Sequence, residues 1–246
     1  MLSFYLSIKS MLARWSTSLL TISSIAIGVM LLIGVERVRE GTRDSFENTV
    51  SSIDLIAGAR SGPVQLLLYS VFHMGNATNN VGWDSYQKIA ANEDVAWTIP
   101  LSLGDSHKGY RVVGTTKDYY EHLRFGNDRS LGFKDGTWFE NPLDVVLGNE
   151  VASKLGYQTG SSIVIAHGVS EVSFQEHSDH PFTVVGVLNR TGTPVDRALF
   201  VSLEAIERIH VGWEEGAPPT NPTEFVEGTA PESITAFLIE IGRAHV

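Results

Sequence analysis

Charge is absent from Trp15 to Val35 (WSTSLLTISSIAIGVMLLIGV), whereas apolar and polar positions interleave through the rest of the chain. At ~1.5 Å rise per residue, about 20 residues cover the ~30 Å hydrocarbon core of a bilayer. Arg14 closes one end, Glu36-Arg37 the other, and Trp15 sits where interfacial aromatics are favoured. The pattern predicts a membrane-spanning helix over 15–35. A cleaved leader would have a shorter apolar region, roughly 7–15 residues, and a small-x-small site after it. Here Val35-Glu36-Arg37-Val38-Arg39-Glu40 follows and extends the helix, giving an expected helical stalk over 36–52. Ser24 and Gly28 are a small-xxx-small pair, and Gly34 follows Met30 at the same spacing, so Ser24, Gly28 and Gly34 are the candidate helix-packing residues. Before the span, Leu2, Phe4, Tyr5, Leu6 and Ile8 mix with Ser3, Ser7 and Lys9, which suits an amphipathic surface segment over 1–14.

Past the stalk the periodicity shortens. Ser52 to Ile56 is strand-like, and Gly58-Ala59-Arg60-Ser61-Gly62-Pro63 is a turn cluster. Val64 to Phe72 is apolar enough for a buried helix, and Trp83 to Asn92 reads as an amphipathic one. Strands are expected at Val95–Ile99, Gly109–Gly114, Asp144–Leu147, Ser161–Ala166, Phe182–Leu188, Ala198–Ser202 and Ile234–Ile239. Short helices are expected at Tyr119–Phe125, Val151–Leu155 and Leu203–His210, with an acidic loop over Trp213–Glu232. Strands and helices mix without a regular βαβ period, so the fold class is α+β, a mixed α/β domain behind one helix.

Charge changes the picture of partners. The net charge is −10, and no Asp or Glu precedes Glu36, so the globular part is more acidic than the whole. With no basic stripe it is not a nucleic-acid binder. The absence of Cys removes disulfides and thiol chemistry. Lys9 and Arg14 on one side of the span are nearly balanced by Arg37, Arg39 and Arg43 on the other, so counting Lys and Arg leaves the orientation open.

Catalytic signals are sparse. His167, His177, Asp179 and His180 are candidate metal ligands by residue type, but the spacing matches no specific site, and a solvated loop explains it equally. No G-x-S-x-G elbow occurs, and no Gly-Lys-Ser/Thr phosphate loop. No cofactor is expected, and any ATP must be bound by another chain.

Several long segments do carry a resemblance. Asp54 to His73 (DLIAGARSGPVQLLLYSVFH), Ile99 to Thr116, Thr183 to Leu188 and Thr191 to Glu204 resemble the extracytoplasmic domain of MacB-like, FtsX-type ABC-transporter permeases. The resemblance covers nearly the whole chain up to Ile239. It implies a cytoplasmic N-terminus, a bacterial inner-membrane location and a periplasmic core domain over 53–240, with a porter-like part and an inserted β-rich lobe. It implies a separate ABC ATPase subunit, a homodimer or heterodimer of permeases, and a periplasmic or outer-membrane partner. Cytoplasmic ATP hydrolysis would move the periplasmic domain to export or extract an amphipathic substrate, with no catalytic residue on this chain. An FtsX-like signalling permease that activates a periplasmic enzyme and a self-contained anchored binding domain are the alternatives. Ile241 to Val246 (IGRAHV) matches the in-frame translation of a common sequencing-library adapter. The natural protein is therefore expected to continue beyond about Ile239, with 241–246 a non-native tail.

Overall fold

One helix, α1 (Trp15–Thr49), carries the apolar run and continues unbroken past its charged end. The computed structural model describes residues 5, 9, 13–49 (side chains at 44–48 excepted), 53–75, 77, 79–167, 181–210 and 231–242. The expected amphipathic segment 1–14 and the acidic loop 213–232 lie largely outside them. The chain divides into two units, 1–47 and 48–246. Hydroxyls inside α1 bond back along the helix: Thr21 Oγ1 donates to Thr17 O at 3.0 Å, and Thr42 Oγ1 to Val38 O at 2.8 Å. That satisfies polar groups a lipid environment would leave stranded.

The second unit is built on a sheet. In chain order its elements are β1 (Leu55–Gly58), α2 (Pro63–Ser70), β2 (Val81–Gly82), α3 (Trp83–Ala90), β3 (Val95–His107), β4 (Tyr110–Thr115), α4 (Asp118–His122), β5 (Arg124–Phe125), β6 (Arg129–Ser130) and β7 (Phe133–Gly136). There follow β8 (Asp144–Leu147), α5 (Asn149–Leu155), β9 (Ser162–Ile163), β10 (Ala166–His167), β11 (Phe182–Leu188), a 3₁₀ turn (Pro194–Arg197), β12 (Ala198–Ser202), α6 (Leu203–His210), β13 (Ser233–Ile234) and β14 (Ala236–Ile241). The main sheet runs β1-β14-β3-β4-β12-β8-β11-β7, with β9 on β11 and β10 on β3. It is mixed: β4–β12 and β8–β11 are parallel, the other pairs antiparallel. β1 lies against β14 with Leu55 opposite Ile239 and Gly58 opposite Ala236.

Alternation sorts side chains between two faces. Val112, Val145, Leu147, Leu199 and Val201 face a core closed by α5 and α6, through Val151, Ile206 and Ile209. Their neighbours Val113, Val146 and Phe200 face the other core, with Ile99, Leu101, Leu238 and Tyr119 of α4. β8 is therefore buried at every residue: Val145, Val146 and Leu147 fill the two cores, and Asp144 is buried at its start. Each such side chain stabilises the fold by about 1.5–3 kcal/mol of apolar burial. A third cluster joins Tyr86 of α3 to Phe237, Ile234 and Leu203.

The structure departs from the sequence reading at definite places. β3 is one 13-residue strand that passes through Pro100, not a strand ending at Ile99. The expected strand Ser161–Ala166 splits into β9 and β10, which pair with different neighbours. The apolar helix α2 is only partly interior: Tyr69 is buried, but Val64 is 69% and Leu68 40% exposed. β14 runs past Ile239 through Ile241, opposite Val95, and the Ile241 amide donates to Asp54 Oδ2 at 2.9 Å. The expected tail boundary at 241 thus falls inside a paired strand.

Candidate functional site

α1 holds the one stretch, among the described residues, long and apolar enough to cross a membrane, Trp15–Arg43. Its 29 residues span about 43 Å at ~1.5 Å each, more than a hydrocarbon core needs. Leu20, Met30 and Leu32 are each at least 70% exposed, and among the described residues no part of the most apolar window is buried. Around this helix, Ser24 and Gly28 share a face, being four residues apart at ~100° per residue. Gly34, six beyond Gly28, points about 120° away, so the three candidates do not form a single stripe. A Cβ at Gly28 or Gly34 would meet nothing within 4 Å, which leaves both open to another helix.

Inside the sheet unit the notable feature is a buried charge cluster. Between the pairs Leu103–Val113 and Ser106–Arg111, two β3 residues oppose one on β4, a bulge formed by Gly104 and Asp105. Bulges re-aim side chains, and Asp105 ends 1% exposed. His210, the last residue of α6, brings Nε2 to 3.5 Å from Asp105 Oδ1 and donates from Nδ1 to Ile206 O at 2.6 Å. Burial pulls its pKa down, but the hydrogen bond and charge of Asp105, the Ile206 carbonyl and Glu207 outweigh burial, and the net shift is upward. Glu207 is itself raised, chiefly by burial, with His210 opposing.

Arg111 extends the cluster. It is 5% exposed, and burial lowers its pKa against the pull of Asp105. Its guanidinium donates to Gly75 O, fastening the loop after α2, where His73 has φ +54° and Gly75 φ +79°. His73 lies edge-on to Phe200 at 6.4 Å, and burial, then Arg111, lowers its pKa to about 4. It is therefore neutral at physiological pH. His107 is set differently: its Nδ1–H donates to Val164 O at 2.6 Å, leaving Nε2 to accept from the Tyr157 hydroxyl at 3.0 Å in the neutral ring. Asp105, Arg111, His107 and His73 are each no more than 9% exposed. Burial of that degree bars a substrate and makes the cluster an internal fastening of β3, β4, α6 and the 71–75 loop.

The sequence singled out none of these roles; Gly104 inside an otherwise strand-like run was the available signal of a bulge. Of the candidate metal ligands, His177, Asp179 and His180 lie outside the described residues. His167 is described by its backbone alone, in β10 opposite Asp105. A different trio, Asp118, Glu121 and His122, has its ligand atoms within 4.8 Å of one another. Each is engaged elsewhere: Asp118 accepts from Thr116 at 2.9 Å, Glu121 pairs with Lys117 at 3.4 Å, and His122 stacks on Trp97.

Most of the apolar helix, and the mixed sheet as far as the start of β14, fall within the extent of one family. Residues 18–236 match the family model described as MacB-like periplasmic core domain. The chain belongs to that family. The MacB-like domain is thus carried behind one apolar helix, and the protein is of the ABC-transporter-permease type. No curated protein sequence matches this one. Among solved structures, the chain is similar to the periplasmic region of MacB from Actinobacillus actinomycetemcomitans, at 10% identity and TM-score 0.45, covering 79% of this chain and 78% of that one. It is also similar to the extracellular domain of the noncanonic ABC-type transporter YknZ from Gram-positive bacteria, at 11% identity and TM-score 0.40, covering 67% and 75%. A domain of a putative permease protein from Porphyromonas gingivalis aligns at 11% identity and TM-score 0.36, covering 70% and 65%.

Proposed function

We propose that this MacB-like chain is a permease subunit that couples ATP hydrolysis on a separate ABC ATPase to movement of its periplasmic domain, for export or extraction of an amphipathic substrate. The observation that carries the reading is the extent of the family match. It begins inside the apolar helix at 18 and runs through the sheet unit to 236, so helix and domain occur together as one inherited unit. In this reading 15–35 spans the inner membrane with the N-terminus cytoplasmic, 36–52 is the stalk, and 53–240 is the periplasmic core. Subunits associate as a dimer, with Ser24 and Gly28 on one helix face and Gly34 on another as close-approach positions. No substrate-reactive group is assigned to the chain, and the buried Asp105–His210 cluster serves integrity rather than turnover.

The test is chemical crosslinking of the full chain in its native membranes, followed by mass spectrometry of what it holds. Recovery of an ABC-type ATPase at the N-terminal side supports the reading. Crosslinks that join the chain to periplasmic proteins only, with no ATPase, would overturn it and favour a self-contained anchored domain.

A further inference from the structure

The main sheet ends on β7, which among the described residues pairs along one side only, with β11. Next to it is a cleft of about 550 Å³, lined by Phe133 of β7, by Thr137, Trp138 and Phe139 just after it, and by Lys117 and Tyr120 at α4. That volume is in the range of ligand sites. Rings make its wall: Tyr120 to Phe133 is 5.0 Å between centroids, Tyr120 to Trp138 5.7 Å, and Trp138 to Phe139 4.6 Å. Trp138 is 5% exposed, yet its Nε1–H meets no acceptor. A buried donor left unmade costs about 1–3 kcal/mol.

We propose that this groove receives an extended polypeptide segment from a partner protein, added as a further strand on the open edge of β7 with an apolar side chain seated on the rings. The edge selects the occupant. A terminal strand presents unpaired backbone donors and acceptors, and what answers them is another extended backbone. Because side chains of a strand alternate faces, one of every two from the added segment points to the face that holds Tyr120, Phe133 and Phe139. A lipid chain would cover the rings but leave the strand edge unanswered. Lys134 and Asp135, both exposed on β7, keep the unoccupied edge soluble. The proposal stands apart from the transport reading, since an anchored domain with no ATPase would present the same groove.

The full chain in lipid nanodiscs is panned against a displayed library of random peptides about nine residues long, with empty nanodiscs as counter-selection. Enriched sequences are expected to alternate apolar or aromatic residues with polar ones. A synthetic winner should weaken at least about tenfold against Tyr120→Ala. N-methylating every second backbone amide should have the same effect in one register, while methylation in the other register leaves affinity nearly unchanged. Phe139→Leu serves as the second variant where Tyr120→Ala lowers Tm. Lack of enrichment over empty nanodiscs overturns the proposal. So does binding that survives methylation in both registers, which would mean side-chain capture without strand pairing, or binding indifferent to both variants.

Discussion

His210 Nε2 lies 3.5 Å from Asp105 Oδ1, joining the end of α6 to the bulge of β3. Because that contact favours the imidazolium, it stabilises the fold only while His210 is protonated.

Two histidines therefore give stability a pH optimum. His210 has a raised folded pKa, so its contribution is complete below the unfolded value of 6.5 and is lost as pH rises through the folded one. His73 is the reverse: its folded pKa is about 4, so its neutral form is favoured above 6.5 and stability falls as pH drops from there toward 4. The acid limb amounts to roughly 3 kcal/mol. Urea midpoints across pH should peak near the unfolded histidine value. His210→Gln flattens the alkaline limb and His73→Leu the acid limb; unchanged slopes in both variants would refute the assignment.

Asp196 should be among the costlier single losses in the domain. It is 6% exposed, and its two oxygens accept from Thr191 N at 2.8 Å, Thr191 Oγ1 at 2.9 Å and Gly192 N at 2.8 Å. Asp196→Ala leaves those donors stranded and is expected to cost about 2–4 kcal/mol in chemical denaturation. Asp196→Asn, which keeps one carbonyl oxygen, should cost less.

Two glycines should answer differently to the same substitution. A Cβ on Gly148 would lie 2.2 Å from Val195 O and 2.5 Å from Asp196 O, both backbone atoms that move only with the 3₁₀ turn. A Cβ on Gly104 would meet nothing within 4 Å. Gly148→Ala is expected to lower stability by about 2 kcal/mol or more, and Gly104→Ala by under about 1 kcal/mol. Equal denaturation midpoints for the two variants would contradict the geometry.

Charges placed in α1 should release the chain of residues 1–246, expressed by itself, from membranes. Ile25 and Leu32 are 62% and 73% exposed within an uncharged run. Asp at a helix centre costs about 2.5–3.5 kcal/mol to insert. The double variant Ile25→Asp, Leu32→Asp should move from the alkali-resistant membrane pellet to the extract. The same pair placed at Val64 and Leu68, on the exposed side of α2, should not change the partition.

What could be read in the sequence was whatever depends on neighbours along the chain. β11, β12 and α6 were expected at the bounds they have, because Val/Ile-rich runs and the spacing of Leu203, Ile206 and Ile209 state their periods locally. The expected strand stopped at Ile99; the next residue, Pro100, lacks an amide and normally ends an interior strand. Here the strand continues, and Pro100 is opposite Phe237 with its carbonyl accepting from Thr115 Oγ1 at 2.8 Å. The charge cluster could not be read as a whole: Asp105 and Arg111 share the β3–β4 hairpin, but His73 and His210 come from distant segments that no local spacing relates to it. The cleft was equally hidden, since β5, β6 and β7 are two to four residues long and too short for alternation to register.

The pairing of β1 with β14 has a consequence for how the protein is made. Leu55 finds its neighbour at Ile239, and β1 has no other partner among the described residues. A ribosome delivers the first strand of this sheet long before the strand it must join, while the preceding helix is already being released into the bilayer. During that interval the nascent domain carries an unsealed margin, and closing so wide a loop slows its maturation. Translation rate and holdase capacity on the far side of the membrane should then govern yield more than the final stability of the folded sheet does.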